Sequence, residues 1–122
     1  MAMERYTSDP WGWTTEHLRS APWESGPPLA DLVEAVRESW EAAVMPAPTW
    51  HNTRVEFCRV DERRQPRRAK VVVLWQHGVF EFQLLEARGL LVSADRSFAA
   101  SALAVLHAFL FQVAGDAAPE RV

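Results

Sequence analysis

The chain has 122 residues, a formal net charge of -3 and a hydrophobic content of 48%. That length suits one domain with a single core, in which folding buries roughly two-thirds of the surface exposed by the unfolded chain. The mild acidity, with a pI near 5.8, argues against a general nucleic-acid or membrane-surface binder, which carries a basic excess. The single cysteine, Cys58, supplies neither a disulfide framework nor a zinc finger within one chain.

Residues 1–28 read as a polar N-terminal arm with prolines and three tryptophans, Trp11, Trp13 and Trp23. Met1 to Pro10 lacks the basic start and apolar stretch of a secretion signal. Asp9-Pro-Trp-Gly12 has turn chemistry, and Thr14 or Thr15 can cap a single turn through Arg19. Tryptophan has too much apolar area to be left in water, so the arm is expected to lie across the domain or across a partner.

The domain itself is expected over 29–115. Its first helix, 29–45, puts Leu29, Leu32, Val33, Val36, Trp40 and Ala43 on one stripe. Asp31, Glu34, Glu38 and Glu41 line its outer face, and Met45-Pro46 ends it. A strand from Thr53 to Val60 points Val55 and Phe57 inward, with Glu56 and Cys58 opposite. Asp61 to Arg68 then reads as a solvated loop.

Lys70 to Trp75 and Val79 to Leu85 form a hairpin, closed by Gln76-His77-Gly78 with Gly78 at positive φ. In the second strand Phe80, Phe82 and Leu84 alternate with polar residues. In the first, Val72 and Leu74 face away from Val71, Val73 and Trp75, which marks a central strand or one whose second face meets something. Leu90, Leu91 and Val92 form a short edge strand. Asp95 or Ser97 is the expected cap of a final helix that runs to about Ala114, with Gly115 as its left-handed terminator. That helix is apolar almost all round, as a helix buried on several sides or in a subunit interface would be.

The order predicts an α+β domain. A three- to four-stranded antiparallel sheet is covered on one face by two helices, α-β-β-β-(β)-α, behind the aromatic arm and before a short tail at 116–122. No uninterrupted apolar run reaches ~18 residues, so no membrane span is expected. Arginine bias, with Lys70 the sole lysine, points to a GC-rich bacterial genome, and the lone cysteine to a cytoplasmic setting.

Arg63, Arg64, Arg67 and Arg68 are a candidate contact for an acidic partner, since guanidinium groups pair with carboxylates and phosphates in bidentate fashion; a solvated loop gives the same pattern. His17, His51, His77 and His107 are scattered over different elements, so no metal site and no cofactor is expected. His107 is expected to satisfy a core or interface hydrogen bond. If the chain is an enzyme, His51 with Glu56 is the best catalytic pair, and Cys58 is a nucleophile only if a histidine lowers its pKa. No Gly-rich phosphate loop, nucleophile elbow or paired-cysteine spacing is present.

Apolar surface therefore outweighs catalytic constellations. The expected function is a small non-catalytic binding protein, of chaperone, adaptor or inhibitor type, that holds a protein or peptide through Trp11, Trp13, Trp23, Trp50, Trp75 and Phe111. Phe111 on the final helix is also the expected contact of a homodimer. The alternative is a small-molecule binder or small enzyme with a pocket between sheet and helices near Trp50, His51, Glu56 and Trp75. In topology alone, with no motif and no residue carried over, the order resembles small bacterial secretion-chaperone folds.

Overall fold

The computed structural model describes residues 8–51, 53–60, 66–86 and 88–119. Helix α1 spans Pro10–Ser20 and α2 spans Gly26–Arg37; a short α3 follows at Glu41–Val44. Five strands come next: β1 Thr49–His51, β2 Arg54–Val60, β3 Pro66–Gln76, β4 Val79–Glu86 and β5 Leu91–Ser97. Helix α4, Ala99–Ala114, runs into a single 3₁₀ turn at Gly115–Ala117. The strands form one antiparallel sheet in the order β1-β2-β3-β4-β5. The class is α+β, as the residue patterns predict, with a larger sheet than expected.

One face of the sheet is the core. Val55, Phe57, Val71, Val73, Phe80, Phe82 and Leu84 are buried beneath the helices, as their alternation predicts. Phe82 meets Phe109 of α4 at 5.8 Å between ring centroids, and Phe57 meets Trp11 of α1 at 6.2 Å. No described helix covers the opposite, open face. Val72 is buried there all the same, because Glu56 and Gln83 flank it on the neighbouring strands and long polar side chains can cover an apolar neighbour with their stems.

Residues 10–20 are a full helix where an arm with a single turn was expected. The Asp9 side chain accepts from the Gly12 amide at 3.1 Å, Pro10 occupies the first turn, and Trp11, Thr14, Thr15 and Leu18 form the buried stripe. Thr15 Oγ1 donates back to the Trp11 carbonyl at 2.9 Å, so its burial leaves no hydroxyl unpaired. α1 then folds against α2. Gly26 permits the turn between them, because a Cβ there would collide with the Leu18 carbonyl oxygen. Across the pair Arg19 bonds Asp31 at 2.9 Å and also Glu34, while Arg37 bonds Asp9 at 2.6 Å.

The expected 29–45 helix is broken at residues 38–40. Ser39 Oγ donates to the Ala35 carbonyl at 3.2 Å, drawing the chain off the helical path. The break turns Glu41 inward, so a residue expected on the outer face is fully buried. The region expected to lead straight into a strand at Thr53 instead makes a tight β1–β2 hairpin, with His51 opposite Arg54. Pro66 to Arg68 belong to β3 rather than to a loop.

The hairpin turn between β3 and β4 has His77 at φ 53° and Gly78 at φ 79°, the paired positive angles of a turn that matches strand twist. β5 extends through Ser97, so Asp95 pairs opposite Phe82 instead of capping α4. The cap position falls to Phe98, which offers no side-chain hydrogen bond. Gly115 is right-handed at φ -62°; a Cβ there would stand 3.0 Å from the Phe111 ring, so its small size matters rather than a left-handed cap. By length and composition Ala99–Ala117 would suffice to cross a membrane. Here it packs on the sheet through Ala102, Leu106, Phe109 and Leu110.

Candidate functional site

An open apolar groove of about 610 Å³ lies between α2, the start of α4 and the β3–β4 turn. Pro27 and Pro28 form one lip; they sit in the first turn of α2, where a missing amide proton costs nothing. Trp75 and Phe80, cross-strand partners, supply the aromatic wall beside Gly78. Leu32 and Leu103 face the groove from the two helices, and Ala35, Ala99 and Ala102 are too small to fill the space between them. Among the described residues Asp31 is the one charged residue lining it. Its bond to Arg19 joins two exposed side chains and is worth only about 0–1 kcal/mol, so the carboxylate is readily shared with a ligand.

A second aromatic assembly stands at the β1 edge. Trp13 and His17 stack at 3.8 Å, His17 meets Trp50 at 5.8 Å, and Trp50 meets Trp23 at 5.7 Å. His17 Nδ1–H donates to the Trp13 carbonyl at 3.3 Å, one turn back. Three of the expected binding tryptophans therefore meet, around a histidine that no spacing or periodicity groups with them. Trp11 belongs to the core. Trp75 belongs to the groove, and Phe111, 55% exposed, lies on the outer side of α4 over Gly115.

His51 and Glu56 both lie on the open sheet face, apart from the groove. Among the described residues Glu56 is paired with Lys70 at 2.5 Å and Arg54 at 3.9 Å. Cys58, half-buried on that face, has its thiol pushed up by burial and by Glu56, against a smaller lowering by Lys70, the reverse of an activated nucleophile. Arg63 and Arg64 lie outside the described residues; Arg67 and Arg68 lie on β3, their side chains outside that description.

The polar contact that sequence reasoning missed is Glu41 with His107. His107 Nδ1–H donates to Glu41 Oε1 at 2.5 Å, tying α4 to α3, while Glu41 Oε2 is buried without a partner among the described residues. The expected hydrogen bond of His107 is present, but its partner lies 66 residues away, and no local pattern could have named it. Among the described residues no group of three or more His, Cys, Asp or Glu is placed to hold a metal. Comparisons with family models, with curated proteins and with solved structures gave no match, so the functional reading rests on geometry.

Proposed function

We propose that the chain is a small non-catalytic binding protein of the chaperone, adaptor or inhibitor type, which holds a peptide or protein segment by an apolar side chain in the groove between α2, α4 and the β3–β4 turn. The observation that carries this is the groove itself: about 610 Å³ of open space bounded by Trp75, Phe80, Leu32 and Leu103. Aromatic and aliphatic walls with one polar group at the rim are what a buried anchor residue needs. Asp31 adds direction. A basic residue next to the anchor would face its carboxylate, so the favoured segment is a large apolar residue beside an arginine or lysine.

An apolar small molecule is the second occupant, favoured by a volume within the ~300–1,000 Å³ range of such sites. Panning a random peptide library on the immobilised chain separates them. Enriched peptides should share an apolar–basic pair, lose at least ~10-fold in affinity to Ala35→Trp, which fills the groove, and lose less to Asp31→Lys. Peptides indifferent to both variants, with fold intact by circular dichroism, would refute the site. An Ala35-sensitive metabolite recovered with the purified chain, in place of peptide binding, would select the small molecule.

A further inference from the structure

The two edges of the sheet are unlike. β1 has three residues, with Trp50 held in the aromatic assembly, the kind of short edge that resists further pairing. β5 has seven residues, six of them exposed, and no described strand pairs with its outer edge; the Arg96 amide donates to Asp95 Oδ1 at 2.8 Å. Large apolar side chains stand at both of its ends: Leu91 is 59% exposed and Val92 62%, and Phe98 just beyond is 73% exposed.

We infer that β5 pairs antiparallel with β5 of a second copy of this chain, about a two-fold axis at Ala94. The occupant follows from the strand's own pattern. Such an axis, perpendicular to the sheet, keeps helix-side residues opposite helix-side residues, so the paired numbers must sum to an even value. Full overlap of Leu91–Ser97 puts the axis at the central residue, Ala94. That register sets Ser93 opposite the second copy's Asp95, a hydroxyl donor against a carboxylate. Moving the axis to Asp95 or Arg96 would set like charges face to face, which is destabilising. The same register brings Leu91 and Val92 of one copy alongside the Phe98 end of the other, covering both apolar ends at once. The bulge at Val92, between the Ser93 and Leu91 pairings, confines regular pairing to the centre, and the ends meet as side chains. Two five-stranded sheets then join as one of ten strands, with both sets of helices on the same side and both grooves left open. This inference stands independently of the groove.

Sedimentation velocity on the full chain should show a monomer–dimer equilibrium that Ala94→Lys weakens by at least ~10-fold. Ala94 is exposed on the open face, so circular dichroism should be unchanged. In a Cys58→Ala background, Ala94→Cys should be cross-linked between copies by a short bis-maleimide, and Thr49→Cys on the opposite edge should not. Phe111→Glu should leave the dimer intact. A chain that stays monomeric at all concentrations would overturn the inference. So would a dimer dissolved by Phe111→Glu but not by Ala94→Lys, or Ala94→Cys without cross-link.

Discussion

Trp13, His17, Trp50 and Trp23 stand ring against ring at the β1 edge, with centroids 3.8 to 5.8 Å apart, whereas Trp75 borders about 610 Å³ of open groove. Both regions present tryptophan. In the first, the aromatic faces are largely spent on each other, and the assembly holds α1 to the sheet. In the second, small residues such as Ala35, Ala99 and Ala102 line the space beside Trp75, and contact area is left for a ligand. What marks a binding surface here is unfilled space beside an aromatic, not the number of aromatics.

The largest expected effect tests how the first region is held. Gly26→Val puts a branched Cβ into the Leu18 carbonyl, should cost roughly 4 kcal/mol in urea unfolding, and should separate the rings that α1 contributes. A loss under about 1 kcal/mol would mean that the close α1–α2 approach does not build the aromatic assembly. Next is the Glu41–His107 pair that ties α4 to α3. His107→Ala leaves the fully buried Glu41 carboxyl without its hydrogen-bond partner and should cost about 3 kcal/mol, while Glu41→Met, which removes the buried polar group, should stay within about 1 kcal/mol of the parent. Equal losses in the two variants would contradict the asymmetry.

Exchanging the aromatic rings sharpens the contrast directly. Trp50→Ala should lower stability by about 2 kcal/mol and leave the affinity for a selected peptide unchanged. Trp75→Ala should do the reverse, with at least a ~10-fold loss of affinity. The smallest effect falls on the open face. Because burial and Glu56 raise the Cys58 thiol, its thiolate fraction near pH ~8.5 is lower than that of a free cysteine. Alkylation should therefore be slow and climb only at higher pH. Glu56→Gln removes a negative charge that opposes the thiolate and should speed it; Lys70→Met should slow it. Rates matching free cysteine in all three proteins would deny the shift.

The β3–β4 hairpin was readable because Phe80, Phe82 and Leu84 alternate cleanly and Gly78 allows the turn. The helix-covered face was readable for the same reason in Val55 and Phe57. α1 was hidden because half of its buried stripe is threonine, whose helical burial is decided by tertiary contacts rather than propensity. β5 was misread because Ser93 to Arg96 is mostly polar and exposed, so its strand character rests on pairing with β4 alone. Trp75 was named in advance as part of a site between sheet and helices. The groove around it was not, since Ala35, Ala99 and Ala102 define it by what they fail to fill.

The most direct measurement replaces the six tryptophans with 5-fluorotryptophan and follows their ¹⁹F resonances as a library-selected peptide is added. The Trp75 signal should move while those of Trp13, Trp23 and Trp50 stay in place. Movement confined to the latter three, with Trp75 unmoved, would contradict this and transfer the binding surface to the β1 edge.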